Sequence, residues 1–481
     1  MLKKVIKKWN DMPPAAKSAV AFTISSLFIK GVAFITTPIF TRIMTTDQYG
    51  VLTVYNSWNS ILEVFALLGL TSAGVFNTGL NDYRECRDKF ISAILILCNV
   101  QTVAIFLVIL GLKLIIGYDF ILPINLLIIM FIQFIFNPAQ IFWITRQRYE
   151  YKYKLATIIS ISSSILSQIV AVFCVKNIYV YNSVEIKLWS SGLSFLVFSI
   201  PIYFTLLKRG RCLFDKQIWK EILIFAIPLI PHYLAQHVMS SADRIMISEM
   251  VSNTDAAIYS LASTVSLIAT VIWGAINASI TPYIYDKLNS KKYKNIDSTV
   301  VQILLGYAIV CVGVSLVAPE VIKILGTKEY SKGIYAIPPI AATAFLCAMY
   351  NIYATIEFYH KKSFYITIAT IVSCAVNVVL NYCFIPTFGF IAASYTTLFS
   401  YIVLILMHYY GYKKSQKESV YNDKMMFFIT VVTLVGCEVC NLIYINNVIR
   451  YAIIAVILMM VIYKRNSLLN KIRELKRGNG E

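Results

Sequence analysis

Charge is scarce in this chain. Of its 481 residues only 14% are charged, against 58% hydrophobic, and the mean hydropathy is +0.70. A soluble domain needs about a quarter of its residues charged, so ordinary soluble folds are excluded. Long polar loops are missing too. No connection between apolar runs exceeds about fifteen residues, which leaves no room for a soluble catalytic domain. There are four histidines. His232 and His237 lie five apart, a poor spacing for a shared metal, and no other ligand cluster is evident. Neither a metal centre nor a cofactor is expected. Acids are outnumbered, 24 against 43 Lys and Arg, for a net charge of +19. With no basic soluble domain to carry it, that excess excludes nucleic-acid binding and becomes an orientation signal. The ten cysteines sit mostly in apolar segments. Cys437 and Cys440 form a CxxC inside a helix without a second pair and read as buried small residues.

Apolar runs of roughly 20 residues are what the chain does have, and each reads as a membrane-spanning helix. About fourteen are expected, near 18–41, 50–76, 90–116, 121–145, 155–175, 187–207, 219–247, 256–285, 297–319, 334–358, 363–385, 389–411, 425–445 and 447–463. The basic start "MLKKVIKKWNDMPPAAK" lacks a small-residue cleavage site, and the following run is too long for a signal-peptide core. With a cytoplasmic N-terminus, 33 of the 43 basic residues fall inside and nine outside, with Lys30 within a span. This is the positive-inside pattern. It favours an even number of spans, both termini in the cytoplasm and a bacterial cytoplasmic membrane.

Short similarities recur about 200 residues apart. "TRIM" at Thr41–Met44 matches "DRIM" at Asp243–Met246, and "ATIIS" at 156–160 matches "ATIVS" at 369–373. A basic break separates the two sets at Lys208–Lys220. The fold expected is an all-α polytopic membrane protein with two six-helix bundles. They would span residues 1–210 and 211–415, and be related by a parallel repeat. Two further helices and a basic tail follow in 416–481. Such repeats place a central site between halves in transporters.

Polar residues inside spans are costly, about 2.5–3.5 kcal/mol for a central Lys even on mild scales. Lys30 lies mid-span, and helical spacing puts Thr23, Ser26, Thr37 and Thr41 on its face. Glu63 falls at a matching depth in the second span, beside Asn56, Asn59 and Ser60. Two readings are open: a structural Lys30–Glu63 pair, or a cavity cation for an anionic substrate tuned by Glu63. In the seventh span Tyr233, His237, Ser240, Ser241, Arg244 and Ser248 fall within an arc of about 100°. Asp243 and Gln236 flank it. Asp243 and Arg244 point about 100° apart and need not pair. Arg244 can line a cavity or anchor at the interface, and Pro228 and Pro231 predict a kink upstream. Asn377 and Asn381, four apart, read as helix–helix hydrogen-bonding groups. Arg146, Arg148, Lys152 and Lys154 form an inner basic cluster, open to anionic headgroups.

Three stretches resemble a known family. "LFIKGVAFITTPIFTRIMTTDQYGVLTVYNSW" is similar to the start of the polysaccharide-repeat (Wzx-type) flippases of the MATE-like transporter superfamily. "IPLIPHYLAQHVMSSADRIMISEMVSNTDAAIYSLA" is similar to the start of their second half, and "NVVLNYCFIPTFGFIAASYTT" to their eleventh-to-twelfth helix passage. After Gly389 the chain has "FIAAS" where the family often has a second glycine. The resemblance implies two six-helix bundles and a central cavity. It implies export of undecaprenyl-pyrophosphate-linked sugar units by alternating access, with cavity cations holding the anionic substrate. Lys30, Arg42 and Arg244 match those places. Glu63, His237, Asp243 and Asn377 complete the candidate substrate site.

Three function classes compete. A flippase would use a lipid-linked oligosaccharide, membrane lipids and possible coupling to a proton or sodium ion, beside a polymerase and glycosyltransferases. A multidrug antiporter would favour acids and aromatics in its cavity, which two basic stripes oppose. A membrane enzyme needs a catalytic constellation, which four scattered histidines and short loops oppose, so no enzyme is expected.

Overall fold

The computed structural model describes residues 12–70, 74–117, 121–178, 182–416 and 418–459. The basic tail lies outside them, as do most of the basic N-terminus and the end of the last expected span. Every regular element among the described residues is helical. Twelve of the helices are long and apolar enough to cross a membrane. The protein is a polytopic, all-α membrane protein. Helix Thr46–Ala66 fills the place of the second expected span, but its polar residues hold it outside that apolar set. The last described helix, Asn447–Met459, is shorter.

The chain divides into two compact units, Met1–His237 and Val238–Glu481. The first contains α1 (Pro14–Ile43), α2 (Thr46–Ala66), α3 (Gly74–Asp82), α4 (Arg87–Ile116), α5 (Ile124–Tyr149), α6 (Tyr153–Asn177), α7 (Ser183–Gly210) and α8 (Lys216–Ala226). Its frame is α7 packed on α6, α5 and α4, with α1 laid along α6. α1 is peripheral, and most of its side chains are exposed or half-buried. Helix α9 (Ile230–Met250) follows a short 3-10 turn, Ile227–Leu229, and runs across the division. The turn carries Pro228, and Pro231 opens α9. Proline withholds a backbone N–H, so the ladder is interrupted where the sequence predicts a kink.

The second unit continues with α10 (Asn253–Asn289), α11 (Tyr293–Leu316), α12 (Ala318–Leu325), α13 (Ile337–Tyr359), α14 (Ser363–Phe388), α15 (Phe390–Ser415), α16 (Asp423–Ile443) and α17 (Asn447–Met459). α13 is its centre, packed against α10, α11, α15 and α16. Ala341, Ala342, Ala344 and Ala348 are buried along it. Small side chains let neighbouring backbones approach closely, which is how helices associate without a hydrophobic driving force. α16 packs on α11 and α13, so the first of the extra helices belongs to this unit. Gly389, at φ 69°, turns the chain from α14 directly into α15. A left-handed residue there favours glycine.

Caps repeat between the units. Thr45 accepts a hydrogen bond from Gln48 N at the start of α2 while Gln48 accepts one from Thr45 N. Ser252 accepts from Asp255 N at the start of α10 and donates to the Asp255 carboxylate. Each cap satisfies donors that the first helical turn would otherwise orphan. Both follow the "TRIM" and "DRIM" matches.

Candidate substrate and cation site

The second unit holds a buried polar cluster built on Asp243. This carboxylate is 3% exposed. It accepts hydrogen bonds from Tyr259 Oη on α10 (2.6 Å), Asn381 Nδ2 on α14 (2.7 Å) and Thr397 Oγ1 on α15 (2.9 Å). Asn377 Nδ2 donates to Thr397 Oγ1 (3.0 Å), Asn381 Nδ2 also reaches Asn377 Oδ1 (3.3 Å), and Thr396 donates to Asn381 Oδ1. Four helices therefore converge on one acid. Among the described residues no ion pair reaches Asp243. Its neighbour Arg244 points elsewhere, as the helical wheel predicts. Neutral donors soften the cost of a buried carboxylate but do not balance its charge. Asn377 and Asn381 turn their amide nitrogens towards Thr397 and Asp243, so donors ring the carboxylate. The acid can take a proton, and a hard cation would require the amides to turn their oxygens inward. Among the described residues no three or more His, Cys, Asp or Glu converge to hold a metal.

The candidate cations have a different geometry. Arg42 Nη1 donates to Pro38 O (2.7 Å), and Arg244 Nη1 donates to Ser240 O (2.8 Å). Each guanidinium is folded back over the preceding turn of its own helix, at equivalent places in the repeat. Lys30 is exposed on α1, and the ion pair with Glu63 that one reading expected is not formed: among the described residues no ion pair reaches Lys30. The reason is packing, since α1 lies along α6 and touches α2 little. Three of the four hydroxyls that helical spacing puts on the Lys30 face bond to their own helix, Thr23 to Ala19 O, Thr37 to Ala33 O and Thr41 to Pro38 O. Glu63 and His237 are half-buried. Asn377 is fully buried in the Asp243 cluster.

The basic cluster at Arg146, Arg148, Lys152 and Lys154 is partly neutralised. Arg146 pairs with Asp88 and with Glu150 (2.9 Å), Lys152 pairs with Glu150 (2.7 Å), and Arg87 approaches the same carboxylate (3.3 Å). Arg148 lies over the Phe22 ring at 4.8 Å. Burial opposes the Glu150 charge, but its hydrogen bonds to Lys152 and Arg146 win and hold its carboxyl at about 2.

A second buried pair was missed in the sequence. His408 Nδ1 lies 2.5 Å from Glu357 Oε2, both side chains fully buried. Gly411 makes room for it, since a Cβ there would overlap Glu357 Oε1. Cys437 and Cys440 are buried free cysteines, as expected.

The chain is similar to known proteins. A model for polysaccharide biosynthesis proteins matches residues 15–288. The chain belongs to that family. A Haemophilus influenzae relative described as Lsg locus putative protein 1 is 26% identical over 285 residues, 57% of this chain and 67% of that one. Among solved structures, the lipid II flippase MurJ in an inward closed conformation aligns over 93% of this chain and 100% of that chain, with a TM-score of 0.63 and 18% identity. An outward-facing multidrug resistance MATE transporter of the MOP superfamily aligns over 86% and 99%, with a TM-score of 0.55 and 17% identity. At those identities the two structures show the shared fold, which is the MATE-like one that the resemblance implied.

Of the candidate residues, Asp243 and Asn377 come together with Asn381, while Arg42 and Arg244 share a local geometry. Lys30 and Glu63 do not pair. Sequence reasoning missed Tyr259, Thr396 and Thr397 because each is unremarkable alone. The signal available was a lone acid in a span, which must find donors on neighbouring helices.

Proposed function

We propose that this protein carries lipid-linked oligosaccharide units, held through an undecaprenyl pyrophosphate, across the bacterial cytoplasmic membrane by alternating access. The observation that carries the reading is the family match, which places polysaccharide biosynthesis on an all-helical membrane scaffold. The chemistry supports it. A lipid-linked saccharide keeps its tail in the bilayer, but its polar head cannot cross hydrocarbon unaided. Arg42 and Arg244 each carry a planar guanidinium with five N–H donors, and guanidinium suits phosphate recognition. Lys30 adds a cation without an ion-pair partner among the described residues.

The Asp243 cluster supports cation coupling. A charge held only by neutral donors changes its environment when a proton or sodium ion joins it. That is the requirement for an ion to bias one conformation over another. In this reading Asp243 and Asn377 serve the ion rather than the sugar, and Glu63 offers a second route. Polymerase and glycosyltransferases would consume and supply the cargo.

The test is a chain-deficient strain complemented with variants. Lys30→Ala or Arg244→Ala is expected to reduce surface polysaccharide with protein retained in the membrane and lipid-linked units accumulating inside. Normal surface glycan with both charges removed would defeat the cation role. In proteoliposomes, Asp243→Asn is expected to abolish the dependence of translocation on a sodium or proton gradient. Dependence that persists in Asp243→Asn but vanishes in Glu63→Gln would move the coupling to Glu63.

A further inference from the structure

The break between α7 and α9 carries a binding surface that the transport reading does not use. α8 is amphipathic. Ile218, Ile222 and Ala226, four residues apart, are its buried face. Polar groups on both sides of that face fasten it to the first unit. Asp215 caps the helix and pairs with Lys89 at 2.7 Å, Tyr83 Oη donates to Glu221 (2.5 Å), and Trp219 Nε1 donates to Ala93 O (2.9 Å). The outer edge, which Trp219 borders, is open. It forms a groove of about 640 Å³ with an apolar lining from Phe214, Trp219, Leu223 and Ile227, and with Lys216 and Lys220 along it. Phe214 is 64% exposed and packs edge-on against Trp219 at 4.8 Å.

The charges are segregated. Both nearby acids have partners of their own, Lys89 for Asp215, and Tyr83 and Gln217 for Glu221. Lys216 and Lys220 are exposed and, among the described residues, neither has an ion-pair partner. They lie one turn apart, on the same face as the apolar lining. This edge sits where the chain leaves one apolar helix, α7, and enters the next apolar stretch, Lys216–Met250. That is the depth of lipid headgroups, where Trp and Lys side chains are at home. The basic cluster at Arg146 and Lys152 is engaged with Glu150, so it does not compete.

We propose that this groove binds an anionic phospholipid of the adjoining leaflet, with an acyl chain along Phe214, Trp219, Leu223 and Ile227 and the headgroup phosphate on Lys216 and Lys220. Charge complementarity selects the lipid and the apolar lining holds its chain. A lipid seated there adds contacts to α8, the helix that joins the first unit to α9. The assignment rests on the membrane reading only for naming the leaflet. Binding in micelles reads the groove whichever way the chain is inserted, so the two can fail separately.

The experiment uses the full chain in detergent micelles doped with dibrominated phosphatidylglycerol or dibrominated phosphatidylcholine. Bromine quenches nearby indoles, and the Trp219 signal is obtained as the difference from Trp219→Phe. Phosphatidylglycerol is expected to quench Trp219 at lower mole fraction, by roughly fivefold for each lysine engaged. The preference is expected to weaken with salt and to vanish in Lys216→Gln/Lys220→Gln. Both lysines are exposed, so the double variant is expected to keep the fold. Lys216→Arg/Lys220→Arg is expected to restore the preference. Equal quenching by the two lipids, or a preference that survives the glutamine pair, would overturn the assignment. Displacement of phosphatidylglycerol by a polyprenyl phosphate at lower mole fraction would overturn it in favour of the carrier lipid.

Discussion

Asp243 and Arg244 adjoin in sequence yet serve different neighbours. The acid turns into the second unit and gathers Tyr259, Asn381 and Thr397, while the base folds onto Ser240 O. Removing one donor tests what each bond contributes. Thr397→Val is expected to cost about 0.6 kcal/mol, the usual size of an interhelical hydrogen bond in a membrane protein. Asp243→Leu is expected to cost several times more, because it strands three buried donors. Both are read from the thermal midpoint of the purified chain. Gly411 gives a sharper test. Gly411→Ala is expected to destabilise by about 3 kcal/mol, since the new Cβ displaces Glu357 from His408 in a site without slack. Gly306→Ala is the control. Open space surrounds Gly306, and its change is expected to be neutral or slightly stabilising. The Glu357–His408 pair was illegible in the sequence because its partners lie 51 residues apart on different helices. The angle between Asp243 and Arg244 was legible, because helical periodicity alone sets it.

Helices are where the sequence was most informative. Apolar run length located the long spans, since a bilayer fixes how many residues a helix needs. Run length cannot say which helix is central, however. α13 and α1 are both apolar, yet one is the core of its unit and the other peripheral; the difference lies in α13's buried alanines. The caps at Thr45 and Ser252 are open to direct test. Thr45→Ala and Ser252→Ala are each expected to cost about 1 kcal/mol of stability, measured by thermal unfolding in detergent. The junction between α5 and α6 has a pH signature. Glu150 titrates at about 2 in the folded chain, below its ordinary 4.5. A lowered carboxylate stabilises the fold fully above its ordinary value and loses that contribution as the pH falls through its folded one. The difference in unfolding midpoint between the native chain and Glu150→Gln is therefore expected to be constant above pH 4.5 and to shrink from there towards pH 2.

At the scale of the molecule, the proposed orientation places Cys86, beside Arg84 and Arg87, in the cytoplasm. In a variant retaining only that cysteine, a membrane-impermeant maleimide is expected to label inverted vesicles and not intact cells. The opposite result would reverse the topology. The repeat itself is not a copy of charge position. α1 ends one residue beyond Arg42, whereas α9 continues six residues beyond Arg244. At 1.5 Å per residue, the second guanidinium stands about 7.5 Å further from its own helix end. The later copy thus carries its cation nearly one and a half turns further from the end of its helix. A shortened side chain should be felt unequally. Arg42→Lys can find water close to its helix end, whereas Arg244→Lys gives up a planar multi-donor group where fewer alternatives exist. Two nearly identical four-letter stretches encode the same local fold at two different distances from a helix end.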